Sequence, residues 1–251
     1  MLCPNCEHDE FYEIENGTRI QCRQCGKIFR WPRLRMNKTK IEWCDYTWNP
    51  VTGCNHGCEF CYARRIAKRF PIFNNFEPMF YKDRLKEPYK IKKPSRIFVV
   101  SMGDLFGDWV SSDWIVDTIT VCRDNPQHTF MFLTKNPKRY TFFSDWPSNC
   151  WLGYSASNNF DYQTRMNSIS KIMHKNIFVS IEPIQENILF TAPSLLPKWV
   201  IVGAETGNRT DKIVIKKIWI EEIMSKCHYY DIPLFIKDNL NWPEKIQEFP
   251  K

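Results

Sequence analysis

Cys54, Cys58 and Cys61 stand in a C-x3-C-x2-C spacing within the run from Gly53 to Tyr62. Three thiolates can hold three irons of a 4Fe–4S cluster and leave the fourth iron without a protein ligand. An iron with an open position can bind a substrate or cofactor and act on it. Clusters that only carry electrons ordinarily have four protein ligands, and so do structural zinc sites. The spacing therefore points to a reactive metal site. His56 supplies an alternative, because Cys54, His56, Cys58 and Cys61 together could close a structural zinc site. The Cys-x-His-x-Cys order is cramped for one tetrahedral ion.

A second set of cysteines has a different logic. Cys3 with Cys6 and Cys22 with Cys25 are two C-x2-C pairs separated by 15 residues. Each pair can wrap one edge of a tetrahedral metal. Phe11–Ile14 and Thr18–Gln21 read as short strands, with an Asn16-Gly17 hairpin turn between them. So short a segment cannot bury enough surface to fold alone, and the metal would supply the folding energy. Residues 1–31 thus read as a four-cysteine zinc ribbon, with a rubredoxin-like iron site as the alternative. The remaining cysteines among the 11, Cys44, Cys122, Cys150 and Cys227, are scattered and read as small buried apolar residues. The chain is large for a disulfide framework and shows no secretory leader.

The elements that must position the three-cysteine loop follow a basic linker over 32–40 and occupy 41–251. Six apolar, β-rich runs recur: Arg96–Ser101, His128–Thr134, Cys150–Ser155, Asn176–Glu182, Trp199–Glu205 and Pro233–Lys237. Their near-continuous hydrophobicity suits strands buried on both faces. Ser112–Asn125, Tyr162–His174 and Lys216–Tyr229 read as helices between them. Repeated β-α units imply a parallel sheet with right-handed crossovers. About seven strands fall short of a full eight-fold barrel, so the fold class is α/β with a partial, TIM-like (β/α) barrel. The runs end in polar residues: Ser101 with Asp104, Thr134 with Lys135, Ser155 with Asn158, Glu182, Glu205 and Lys237. In parallel barrels the active site lies at these C-terminal ends. Lys237 could serve as a base of lowered pKa or be an ordinary solvated lysine, and Glu42 and Asp45 are equally open.

Charge narrows the partners. The net charge is +7, and Arg19 to Lys40 holds eight basic residues and no acidic one. A second cluster, Arg64, Arg65, Lys68 and Arg69, follows the cysteine loop. Such density suits a polyanion, with nucleic acid foremost. Phe29 and Trp31 beside Arg30 and Arg33 could stack bases, or could pack the ribbon against the barrel. No apolar run approaches the roughly 18 residues that span a bilayer, so the expected location is the cytoplasm.

Cys54-x3-Cys58-x2-Cys61, with Phe60 before the last cysteine, resembles the signature of the radical S-adenosylmethionine (SAM) superfamily. Ile41–Cys54, Ser101–Phe106, Leu133–Arg139, Ser180–Pro183 and Val202–Gly207 resemble an uncharacterised, phage-associated three-cysteine-motif family. The resemblance covers about residues 41–240. The chain departs from it at Cys44, where threonine is usual, and at Tyr154–Asn159, which lacks a common glutamate. The gap between its first two cysteines is also shorter than in many relatives and closer to the general superfamily form.

The resemblance implies a 4Fe–4S cluster on Cys54, Cys58 and Cys61 whose open iron binds the methionine end of SAM. Reductive cleavage would give a 5′-deoxyadenosyl radical that takes hydrogen from a substrate. It places Phe60 near the adenine, Ser101, Gly103 and Asp104 near the methionine amino group, and Ser155 and Asn158 near the ribose. Glu182 is then a further cofactor-binding residue, and Glu205 and Lys237 are candidate catalytic groups. Loss of Asp104 would weaken SAM binding and spare the cluster. Cys3, Cys6, Cys22 and Cys25 would hold zinc. The expected function is radical modification or repair of a nucleic acid or nucleotide, with a flavodoxin- or ferredoxin-like electron donor and no membrane. Two alternatives stay open: a nucleic-acid-binding zinc protein without radical chemistry, and a radical enzyme acting on a small molecule or partner protein.

Overall fold

The structure, a computed structural model, describes residues 6, 11–14, 19–30, 36–68, 75–207 and 209–250. Cys3, the Asn16-Gly17 turn, Trp31, Arg33 and Arg69 lie outside the described residues.

Strands β1 (Phe11–Ile14), β2 (Arg19–Cys22) and β3 (Ile28–Arg30) form a small antiparallel sheet in that order. β1 and β2 pair from Phe11↔Cys22 to Ile14↔Arg19, the register expected of a hairpin. β4 (Asn37–Lys38) lies within the stretch read as linker. It pairs antiparallel with β5 (Tyr46–Trp48), so the main sheet begins before residue 41. A two-residue edge strand gives too little apolar pattern to read from sequence.

β6 (Val51–Thr52) and α1 (Tyr62–Ala67) flank the cysteine loop, and β7 (Met79–Phe80) pairs with β6. The alternation expected from the apolar runs follows: β8 (Arg96–Val99), α2 (Ser112–Asp124), β9 (Thr129–Thr134), β10 (Cys150–Ala156), α3 (Asn159–Ile169), β11 (Ile177–Ile181), β12 (Trp199–Val202), α4 (Lys217–Tyr229) and β13 (Leu234–Ile236). The large sheet runs β13-β12-β11-β10-β9-β8-β5-β4, parallel throughout except at β4. Helix starts have local causes. The Ser111 hydroxyl accepts from Asp113 N at α2, and the Asn158 side chain accepts from Asp161 N at α3.

Alternate residues divide the sheet's two faces. Ile97, Val99, Phe130, Phe132, Leu152, Val179, Val200 and Ile236 face one core, packed under the helices. Phe98, Met131, Phe178, Ile201 and Phe235 face a second cluster around Trp43. Burial on both faces explains why the strands read as unbroken apolar runs.

The second cluster also shows that the sheet curls. The Trp43 ring lies 4.7 Å from Phe98 on β8, 6.3 Å from Phe178 on β11 and 6.4 Å from Trp199 on β12. In a flat sheet β8 and β12 would stand about 19 Å apart. One indole reaches both because the strands wrap around it, which makes a partial barrel. Its open side is bridged by Glu42, whose carboxylate accepts from Asp238 N and the Gln247 side chain. Residues 246–248 cover the free edge of β13, with Ile236 N donating to Ile246 O and Glu248 N to Leu234 O.

Candidate active site

At the C-terminal ends of the parallel strands lies a cavity of about 380 Å³. Cys54, Cys58, Cys61, Phe60 and His56 line it from the cysteine loop. Ser101, Gly103 and Asp104 reach it after β8, Thr134 from the end of β9 with Lys135 just after it, Ser155 from β10, Ser180 from β11 with Glu182 just after it, Glu205 after β12, and Lys237 after β13. Ile41, Trp43, Phe98 and Leu133 supply an apolar floor.

The loop is tied down by its own backbone. Gly53, at φ 91°, donates to Met102 O, and Asp104 N donates back to Gly53 O. A Cβ on Gly53 would come within 2.2 Å of Glu77 O, and one on Gly103 within 2.6 Å of Gly53 O. Only glycines allow this approach. After β8, Val100 adopts φ 61°, a costly conformation for a β-branched residue that turns Ser101–Asp104 over the sheet end. Asn49 Oδ1 then receives Met102 N at 2.8 Å and the Ser101 hydroxyl at 3.3 Å. Cys61 caps α1, its sulfur accepting from Arg64 N, while the Arg64 guanidinium donates to Cys54 O at 2.6 Å. Tyr62 donates its hydroxyl to Ser101 O.

Asp104 is the node of the site. One carboxylate oxygen receives Phe106 N and the Thr134 hydroxyl, and the other receives Lys135 N and His56 Nε2, the last at 2.8 Å. Burial pushes its carboxyl up. The His56 hydrogen bond and charge, with the donors from Lys135 and Thr134, outweigh burial and hold it below the ordinary carboxylate range.

Burial pushes the Cys54 thiol up to about 12, opposed by a backbone hydrogen bond at His56 and assisted by Asp104, Cys58 and Cys61. Sulfurs that raise one another's pKa as anions are a donor set that a bound cation would favour. Among the described residues, the one group of three cysteine, histidine or acidic ligand atoms gathered within 4.8 Å is Cys6, Cys22 and Cys25. Around one zinc, with Zn–S of about 2.3 Å, thiolates stand about 3.8 Å apart. Cys6, Cys22 and Cys25 suit one ion. Cys54, Cys58 and Cys61 are not drawn in to that spacing, and His56 is engaged by Asp104, so the residues fit a larger group better than a single tetrahedral ion.

Asn158 is not among the cavity-lining residues, and its side chain caps α3. Glu42 bridges to Asp238, and Asp45 pairs with Arg96 at 3.4 Å. Glu205 is held by Arg209, two hydrogen bonds of 2.9 Å, and Arg209 reaches Glu59 of the cysteine loop at 3.3 Å. The Arg209 hydrogen bond and charge keep the Glu205 carboxyl low against its burial. Lys135 and Thr134 were legible as a polar strand end and as part of the resembling segment Leu133–Arg139, with no role attached to either. The structure adds that the Lys135 amine donates to Cys58 Sγ at 3.0 Å and lies over the Phe60 ring. Arg165, on α3, donates to Ser155 O and pairs with Asp161, and nothing in its sequence surroundings marked it.

A curled, mostly parallel sheet with a thiol-bearing cavity at its strand ends makes a mixed α/β fold. The chain belongs to the family described as "Protein of unknown function (DUF5131)", whose profile matches residues 38–249. No curated protein matches it. Among solved structures it is similar to spore photoproduct lyase complexed with dinucleoside spore photoproduct, with TM-score 0.55 and 11% identity over 79% of this chain and 76% of that one. A mutant of that lyase with bound AdoMet and dinucleoside spore photoproduct gives TM-score 0.54 and 12% identity over 79% and 76%. At such identity the likeness is one of fold. No helix among the described residues is long and apolar enough to cross a membrane.

Proposed function

We propose that this protein is a radical SAM enzyme that modifies or repairs a base in a nucleic acid or nucleotide. The observation that carries the proposal is the placing of Cys54, Cys58 and Cys61 on one cavity at the C-terminal ends of a parallel partial barrel. These three cysteines would hold the 4Fe–4S cluster. When bound, the cluster supplies the electron that cleaves SAM to the radical that abstracts hydrogen. The chain's own part is to bind, orient and exclude water. Ser101, Gly103 and Asp104 offer polar groups to the methionine end, and Phe60 offers a ring to the adenine. Ser155 serves the ribose, while Asn158 acts on α3. Glu182, paired with Lys237, and Glu205 would serve the substrate in the same cavity, in place of the cofactor role expected for Glu182. The apolar floor keeps water from a reactive intermediate.

A nucleic-acid substrate is supported by charge. Lys38 and Lys40 are exposed, as are Lys82, Lys86, Lys90, Lys92 and Lys93. Met36 N donates to Glu87 Oε2, which sets these two segments side by side. The fold likeness to a lyase bound to a dinucleoside adds to this. Cys6, Cys22 and Cys25, with Cys3 as fourth ligand, would hold zinc in the ribbon. The electron would come from a flavodoxin- or ferredoxin-like donor.

The test is anaerobic purification, metal analysis and electron paramagnetic resonance of the reduced protein with and without SAM. About four irons in the barrel, with a signal that shifts on adding SAM, is the expected result. Zinc alone, after iron reconstitution has failed, would overturn the radical reading. Oligonucleotide binding at low salt, where phosphate contacts are strongest, tests the substrate class.

A further inference from the structure

Glu182 and Lys237 meet across a strand to which neither belongs. Glu182 follows β11, Lys237 follows β13, and β12 lies between them. Strands two places apart stand about 10 Å from each other. The side chains close that gap, with Lys237 Nζ 2.7 Å from Glu182 Oε1. Gly203, just past the end of β12, leaves the room. A Cβ there would come within 2.4 Å of Glu182 Oε1 and 3.0 Å of Lys237 Cδ. The pair is largely buried, at 16% and 19% side-chain exposure, in a cavity floored by Ile41, Trp43, Phe98 and Leu133. Desolvating two charges is costly, and packed apolar residues would serve stability as well.

The unused valences indicate what the pair is for. Glu182 Oε2 accepts from the Ser180 hydroxyl at 3.0 Å, so both carboxylate oxygens are engaged. The ammonium has three N–H groups, and Glu182 takes one. Among the described residues no second acceptor meets Lys237 Nζ, so the pair offers donors to the cavity. A phosphate would be brought beside the Glu182 carboxylate and repelled by it. A neutral oxygen acceptor would not. The apolar, aromatic floor suits a flat ring.

We propose that the Lys237–Glu182 pair is the docking point for a single unstacked keto base, with Lys237 donating to the exocyclic oxygen. Thymine and uracil carry that oxygen at C4 and guanine at C6, where cytosine and adenine carry an amino group. The inference rests on the nucleic-acid reading and names the class of base. An enzyme that reacts with a base inside a cavity must take it out of the stack, so a base-sized recognition point at the floor is expected of such a site.

The test uses the protein purified with its metals and two short oligonucleotides of abasic sites, one bearing a single thymine and the other a single adenine. Fluorescence anisotropy at low salt is expected to show about tenfold tighter binding of the thymine probe. Lys237→Met should bind both probes alike, at the wild-type adenine affinity. The K237M/E182Q double variant should do the same without leaving an unpaired buried carboxylate. Equal wild-type affinities, or a preference that survives in the double variant, would overturn the base assignment alone. Binding of neither probe would overturn the nucleic-acid reading and the assignment with it.

Discussion

The side-chain amine of Lys135 stands 3.0 Å from the sulfur of Cys58 and 4.7 Å from the centre of the Phe60 ring. A cation donating to a cluster thiolate favours the more negative, reduced state. Lys135→Met should therefore still load about four irons, but with a midpoint potential more negative than that of the wild type. A redox titration followed by electron paramagnetic resonance, before SAM is added, reads this directly. An unchanged potential would mean that the amine leaves Cys58 once the cluster is bound.

The buried Asp104 carboxylate holds the cysteine loop through His56 and the end of β9 through Thr134 and Lys135. This changes what its removal is expected to do. Weaker SAM binding with an intact metal site was the expectation from sequence. Because Asp104→Ala strands buried donors under the loop, a stability loss of about 3 kcal/mol is now expected too.

The same residue predicts a pH dependence. Its folded pKa lies below the unfolded value, so its contribution is fully present above the ordinary carboxylate range. That contribution is lost as pH falls through the lowered value. Asp104→Asn should melt well below the wild type at neutral pH, and the gap should narrow in acid below pH of about 4. Thermal melts at the two pH values check the sign. A gap that widened in acid would contradict it.

Gly53 precedes the first cysteine with φ 91°, its Cβ position blocked by the Glu77 carbonyl. Gly53→Ala combines backbone strain with a clash that neither neighbour can relieve by a rotamer change. A loss of about 1–3 kcal/mol is expected. Under the proposed metal assignment, iron content should fall while zinc at Cys6, Cys22 and Cys25 stays, and metal analysis of the variant separates the two.

Cys6, Cys22 and Cys25 gather within 4.8 Å while the barrel has its own core. Cys22→Ser should release about one zinc per chain, and leave the main thermal transition and the iron content in place. Loss of iron along with the zinc would tie the two metal sites together.

Apolar patterning was enough to locate β8 to β13 and α2 to α4, most to within a few residues, because strands buried on both faces and the helices that cover them leave long, unbroken signals. The two- and three-residue strands β4 to β7 left none. α1 was hidden because it is short and starts on Cys61, a residue that reads first as a ligand. Asn158 carries a role that the sequence reading did not assign. A polar residue at a strand end looks like a pocket ligand, yet the same position opens a helix, and the unpaired N–H groups there claim the side chain.

The sequence by itself determined the chemistry on offer: two cysteine sets of different spacing, a βα-repeating chain, and polar residues at successive strand ends. These are local or periodic properties, carried by neighbours along the chain. Only the tertiary structure decided which of those residues work together. His56 finds Asp104 across 48 positions, Lys135 finds Cys58 across 77, and Glu182 finds Lys237 over Gly203. Such pairs depend on the curl of the sheet and the order of its strands, which set distances that spacing along the chain does not encode.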